Sequence, residues 1–213
     1  MIDTILFDLD GTLIDSNHLI LTTFKHVFET ALKDVKMCDE DYLPFIGPTL
    51  YQSFSNFTSD PAEIELLIQT YRKKNLELHD QYVKPFDGAQ ALLKALKDKG
   101  YRLGVVSSKM HFLVERGLNV CGLDGYMDYI VGSDDVVNHK PHPEPILKAL
   151  SFFNTTDAIY VGDHPNDIKA GQAAGIKTVA VNYSLLKDAL HQVGATYYVD
   201  NLLQIEEVIS CTT

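Results

Sequence analysis

Two aspartates, two residues apart, close an apolar run near the start of the chain, in Ile5-Leu6-Phe7-Asp8-Leu9-Asp10-Gly11-Thr12. Residues two apart on an extended segment point to one side, so Asp8 and Asp10 can present their carboxylates together. Gly11 lets the chain turn at once with no side chain in the way. Two anions held close in a low-dielectric cleft repel, so such a pair calls for a cation or a shared proton. A second acidic group follows a second apolar run, Ile159-Tyr160-Val161, in Gly162-Asp163-His164-Pro165-Asn166-Asp167. Carboxylates gathered with hydroxyls and water suit a hard divalent cation, most simply Mg²⁺. Hydroxyls are available at Ser107-Ser108, after Val105-Val106, and a cation at Lys140, in His139-Lys140-Pro141-His142-Pro143-Glu144-Pro145. The prolines there stiffen the backbone around the lysine. Each piece has an ordinary reading of its own: Asp10-Gly11 as a turn, Asp163 and Asp167 as helix caps, Lys140 as a solvated side chain.

The elements that must position these residues can be read from the apolar pattern. Short apolar runs predict strands at 4–7, 102–106, 129–131, 158–161, 178–181 and 196–199. Amphipathic segments predict helices at 89–99, with Leu92, Leu93 and Leu96 on one face, at 165–174, and at 187–193. Gly100, Gly175 and Gly194 close them. Strand and helix in alternation argue for an α/β fold, a Rossmann-like, doubly wound parallel sheet with right-handed crossovers. In such sheets ligands bind beyond the carboxyl ends of the strands, where the strand order reverses, and Asp8 and Asp163 follow two of those ends.

One interval breaks the rhythm. From about residue 15 to 83 no strand is predicted. Ile20, Phe24, Val27, Phe28, Ala31 and Val35 follow helical spacing, and Asp60-Pro61-Ala62-Glu63 is a helix start, continued by Ile64, Leu67, Ile68 and Tyr71. The expected organisation is a core of residues 1–14 and 86–213 carrying an inserted all-α helical-bundle cap domain, residues 15–85, placed to cover the site. Gly47, between Ile46 and Pro48, is the expected site-facing loop of that cap.

Composition narrows the function classes. A 213-residue chain with 46% hydrophobic and 22% charged residues is globular in character. Its net charge of -11 disfavours nucleic acid and anionic lipid as partners. No apolar run approaches membrane-spanning length, and the first residues show no basic-then-apolar targeting pattern. Cys38, Cys121 and Cys211 are scattered and match no metal or disulfide spacing. A cytoplasmic protein, monomer or weak homodimer, is expected.

The ordered set Asp8-x-Asp10-Gly11-Thr12, Ser107 after a strand, Lys140-Pro141 and Gly162-Asp163-x-x-x-Asp167 resembles the four motifs of the haloacid dehalogenase-like superfamily of phosphatases, and spans nearly the whole chain. Pro44-Phe45-Ile46-Gly47-Pro48 with His142-Pro143-Glu144-Pro145 is similar, more narrowly, to inorganic pyrophosphatases of the PpaX type and to phosphoglycolate phosphatases. The resemblance implies Asp8 as nucleophile, Asp10 as general acid and base, and Ser107 and Lys140 as ligands of the transferred phosphoryl group. It implies Mg²⁺ held by Asp8, the Asp10 backbone carbonyl, Asp163 and Asp167, and a substrate pocket shared by Gly11, Thr12, Gly47, Ser107, Ser108 and Lys140. The substrate would be pyrophosphate or a small phosphate monoester such as phosphoglycolate or a sugar phosphate. Ser107-Ser108 stands where many relatives carry Thr-Asn, and His142 where many carry Asp. A dehalogenase is disfavoured by Asp10, because expelling a halide needs no acid. A phospho-accepting signalling module is the alternative from a different class, although such modules are shorter and lack a helical insert.

Overall fold

The computed structural model describes residues 2–211, and these divide into two units, one formed by the residues up to Asp15 with those from Lys84 onward, the other by Ser16–Val83. In the larger unit, β1 (Thr4–Phe7), β4 (Arg102–Val106), β5 (Tyr129–Val131), β6 (Ala158–Gly162), β7 (Lys177–Val181) and β8 (Tyr197–Val199) make one parallel sheet in the order β5-β4-β1-β6-β7-β8. β1 is central. Its register runs Thr4↔Arg102 to Phe7↔Val105 on one side and Thr4↔Ala158 to Phe7↔Val161 on the other. All four of its side chains are buried. A parallel strand covered on both faces reads as a continuous apolar run, which is why β1, β4 and β5 match their sequence-predicted spans and β6, β7 and β8 differ by one residue.

Helices flank this sheet. α4 (Ala89–Asp98) buries Leu92, Leu93 and Leu96 completely and starts from Gly88 in the left-handed conformation. α6 (Glu144–Phe153) packs Ile146, Ala149, Leu150 and Phe153 against Leu6, Val106, Val131 and Tyr160. α7 (Pro165–Ala173) and α8 (Lys187–Val193) meet through Ile168 and Leu190, packed against Ala180. α5 (His111–Val120) and α9 (Ile205–Ser210) complete the unit. Two two-residue strands, β2 (Ile14–Asp15) and β3 (Lys84–Pro85), pair antiparallel where the chain leaves and re-enters.

The smaller unit contains α1 (Asn17–Ala31), α2 (Leu50–Phe54), α3 (Pro61–Tyr82) and a 3₁₀ segment, Asp39–Phe45. Asp60 caps α3 by accepting from the Ala62 N–H at 2.9 Å, with Pro61 at the first helical position. Its core is aromatic. Phe24, Phe28, Tyr42, Phe45, Phe54 and Tyr71 cluster with Val27, Ile64, Leu67 and Ile68, and ring pairs such as Phe24–Tyr71 lie 4.7 Å apart. Val35 departs from its sequence-predicted place. α1 stops at Ala31, and the Val35 N–H bonds to the Leu32 carbonyl at 2.9 Å. Val35 therefore reaches the apolar cluster from a turn, not from another turn of helix. Among the described residues, no helix is long and apolar enough to cross a membrane.

Candidate active site

Neighbouring strands β4, β1 and β6 end together, and the residues just beyond them are Ser107, Asp8 and, at the end of β6, Asp163. The ladders run on past β1 and β4: the Asp8 N–H donates to the Val161 carbonyl at 2.8 Å and the Ser107 N–H to the Val131 carbonyl at 2.9 Å. The chain steps from β1 to β4 to β5 on one side, then crosses to β6, β7 and β8 on the other. Asp8 thus stands at the reversal of strand order. Asp167 comes from the first turn of α7, where its Oδ2 accepts from the His164 N–H at 3.0 Å. Lys140 arrives from the turn before α6; the Lys140–Pro141 peptide bond is cis.

These residues form one buried polar cluster. Lys140 Nζ donates to Asp8 Oδ1 at 2.7 Å, Asp167 Oδ1 at 2.6 Å and the Tyr160 hydroxyl at 2.9 Å, with the Val106 carbonyl a more distant acceptor at 3.3 Å. The Tyr160 hydroxyl donates to the Val106 carbonyl at 2.7 Å. Asp8, Lys140, Asp163 and Asp167 are 7%, 4%, 4% and 1% exposed, so water does little to screen their charges. Burial pushes the Asp8 carboxyl up to about 7. Lys140 offsets part of that push, while the charges of Asp167 and Asp10 add to it. Asp163 is likewise raised, by burial first and then by repulsion from Asp8 and Asp167. Burial pulls Lys140 down, but the carboxylates of Asp167 and Asp8 outweigh it and hold the ammonium well above the ordinary lysine value.

One lysine cannot balance three buried acids. Asp8, Asp163 and Asp167 each offer an oxygen, all within 4.8 Å of one another. An all-oxygen donor set with excess negative charge fits a hard divalent cation. The surroundings hold this arrangement in place. The buried Thr12 hydroxyl donates to Asp163 Oδ1 at 3.0 Å, and Ser184 Oγ donates to the Asp163 carbonyl at 2.6 Å. Tyr183 fixes the Thr12 backbone by donating to its carbonyl at 2.7 Å. Gly11 is obligatory here. Its φ is +81°, and a Cβ added there would lie 2.2 Å from Asp163 Oδ2. Behind it the Leu9 carbonyl accepts from the N–H groups of Leu13 and Ile14 at 2.9 and 3.0 Å, closing the turn.

Asp10 takes a different position from Asp8. β1 ends at Phe7, and the carboxylate of Asp10 pairs with Lys109 at 2.9 Å, while that of Asp8 pairs with Lys140. The two acids thus serve different cations, although Asp10's charge still reaches Asp8. Ser107 is buried and its Oγ accepts from the Lys109 N–H at 3.2 Å; Ser108 is half-buried. Gly47 belongs to the smaller unit, in a turn at φ +104°. His164 begins α7, accepting from the Asn166 N–H at 3.0 Å, and His142 accepts from the Glu144 N–H at 3.2 Å.

Sequence reasoning overlooked Tyr160, Tyr183 and Ser184, and took the stretch 109–112, which opens with Lys109, only as shaping the pocket. Tyr160 sits inside an apolar run and gives no signal of its own. Lys109 could have been singled out by its i, i+2 relation to Ser107, the same spacing that singled out Asp10 beside Asp8.

The parallel α/β sheet thus carries a buried lysine–tricarboxylate cluster at its strand-order reversal. The chain belongs to the haloacid dehalogenase-like hydrolase family, whose model matches residues 5–181. It is 44% identical over 186 residues to "Pyrophosphatase PpaX" of Bacillus cereus (strain Q1), covering 86% of this chain and 85% of that one. It is 38% identical over 211 residues to the protein of the same name from Halalkalibacterium halodurans, covering 98% and 97%. A crystal structure of a haloacid dehalogenase-like hydrolase from Bacteroides fragilis superposes with a TM-score of 0.89 at 29% identity, covering 96% of this chain and all of that one.

Proposed function

We propose that this chain is a Mg²⁺-dependent phosphohydrolase that works through an aspartyl-phosphate on Asp8, with inorganic pyrophosphate as the preferred substrate. The observation that carries the reading is Asp8, buried at the central strand end and bonded at 2.7 Å to a lysine that is itself 4% exposed. A carboxylate is a weak nucleophile and depends on being aimed; two strand ladders and one ammonium aim this one.

In the first step Asp8 forms an O–P bond to the phosphoryl group, the bond from phosphorus to the leaving oxygen breaks, and Asp10 supplies a proton to that oxygen. In the second step water attacks the same phosphorus and the O–P bond to Asp8 breaks. Asp10, now deprotonated, takes the proton from that water. Ser107 and Lys140 hold phosphoryl oxygens; Gly11, Thr12 and Ser108 shape the pocket around them. Asp8, the Asp10 carbonyl, Asp163 and Asp167 would hold Mg²⁺, and Thr12 orients Asp163 for it. When bound, the ion screens the nucleophile from the phosphoryl oxygens and offsets charge as it moves. Phosphoryl transfer depends mainly on positioning and electrostatics, and that is what this cluster offers. The pyrophosphate preference draws on the PpaX relatives; phosphoglycolate and sugar phosphates fit the same core chemistry.

The test is phosphate release from pyrophosphate, phosphoglycolate and a sugar phosphate, with Mg²⁺ and with EDTA, for the wild type and for Asp8→Asn. The expected outcome is multiple turnover that prefers pyrophosphate, lost with EDTA and abolished in the variant. Steady-state hydrolysis by Asp8→Asn would refute the covalent route, and a single slow turnover by the wild type would point to a signalling module.

A further inference from the structure

We propose that Lys109 binds the leaving half of the substrate, and so selects substrates whose leaving group already carries negative charge: phosphoanhydrides ahead of alkyl phosphates with an uncharged leaving group. The inference rests on the phosphohydrolase reading above and goes beyond it by assigning a specificity residue.

Two lysines serve this site, and they are placed differently. Lys140 lies at depth, paired with Asp8 and Asp167. Lys109 stands 2.9 Å from Asp10 Oδ1, with its side chain 12% exposed against 17% for Asp10. A lysine so enclosed lines the site and does not roam in solvent. Its origin is also fixed, because Lys109 follows Ser107 by two residues beyond β4 and its N–H is held by Ser107 Oγ at 3.2 Å. In the reading above Ser107 faces the transferred phosphoryl group and Asp10 faces the leaving oxygen. Lys109 touches both residues, which puts its ammonium one hydrogen bond from the place where the leaving charge appears.

The chemistry separates substrate classes. When the P–O bond breaks, its electron pair stays on the leaving oxygen. An alcohol leaving group is uncharged when bound, and after protonation it departs neutral. A phosphate leaving group is anionic when bound and gains a further charge, or a proton from Asp10, as it departs. Within a chain of net charge -11, such a group needs a local cation. Lys109 can supply it by exchanging Asp10 for a phosphate oxygen, one charge-assisted hydrogen bond for another.

The experiment compares wild type, Lys109→Met and Lys109→Arg in the full chain with Mg²⁺, on pyrophosphate and on glycerol 2-phosphate, an alkyl phosphate whose leaving group is uncharged when bound and departs as a neutral alcohol. Loss of a hydrogen bond to a charged group corresponds to about a ten- to hundredfold change. Lys109→Met should lower the ratio of kcat/KM for pyrophosphate to that for glycerol 2-phosphate by tenfold or more, and Lys109→Arg should restore most of it. Calorimetry should show methylenediphosphonate binding weakened tenfold or more in Lys109→Met, and inorganic phosphate binding weakened less. An equal loss on both substrates means that Lys109 only positions Asp10, and an unmoved ratio means that it selects nothing; either overturns this inference alone. A wild type that hydrolyses neither substrate overturns the phosphohydrolase reading as well.

Discussion

Replacing Lys140 with methionine should make the protein less stable, less active and yet a better binder of Mg²⁺. The ammonium lies 2.7 Å from Asp8 and 2.6 Å from Asp167. At an effective dielectric near 20, each contact corresponds to roughly 6 kcal/mol of Coulomb attraction before desolvation is subtracted. Desolvation of the buried groups removes much of that. Breaking a buried pair by deleting one partner leaves a net loss of about 3–5 kcal/mol, because uncompensated charge stays inside. Methionine fills a similar volume, so packing changes little beside this term. Urea unfolding in EDTA should show the full loss, and the melting temperature should fall by roughly 6–20 °C. Added Mg²⁺ should then recover more stability in the variant than in the wild type, because Asp8, Asp163 and Asp167 lack their internal counter-ion. Calorimetry should report the same change as a tighter dissociation constant. Turnover should nonetheless drop at least a hundredfold, since the phosphoryl group loses its cation. A variant within 1 kcal/mol of wild type in EDTA, or one with weakened Mg²⁺ affinity, would show that Lys140 is not the charge that holds this cluster together.

Two further outcomes follow from other parts of the structure. Gly11→Ala places a methyl group 2.2 Å from Asp163 Oδ2 at a φ of +81°. Left-handed backbone alone costs an alanine about 1–2 kcal/mol, and displacing Asp163 should lower kcat a hundredfold or more. Urea midpoints and initial rates measure both effects, and a wild-type kcat would contradict the placement of Asp163. The Cys121 thiol is pushed up from 9.0 to about 11, by burial first and then by the charge of Asp10, with Lys109 opposing. A raised thiol pKa means that any stability linked to this group is present below pH 9 and lost as pH rises towards 11. At pH 8 the thiolate fraction falls to about 10⁻³ from the roughly 10⁻¹ of an ordinary thiol. Iodoacetamide should therefore modify Cys121 about a hundredfold more slowly than free cysteine, with a rate climbing tenfold per pH unit to about pH 11; a plateau near pH 9 would contradict the burial argument.

The sequence by itself determined the parallel sheet, because strands buried on both faces must be apolar throughout, and Ile5-Leu6-Phe7 and Ile159-Tyr160-Val161 carry that requirement openly. It marked a helical stretch lacking strands between them. It also named every member of the acidic cluster, since carboxylates beyond apolar runs are conspicuous. What it did not contain was partnership. Nothing in the order of residues says that the hydroxyl of Tyr160, in the middle of a buried strand, meets Lys140, or that Asp10 turns to Lys109 while Asp8 turns to Lys140. The two-residue strands β2 and β3 are too short to leave a pattern, and the position of Val35 depends on where α1 stops. Chemistry-bearing residue types are local and legible; which cation serves which acid is settled by strand order and by charges brought together from distant parts of the chain, and only the tertiary structure decided that.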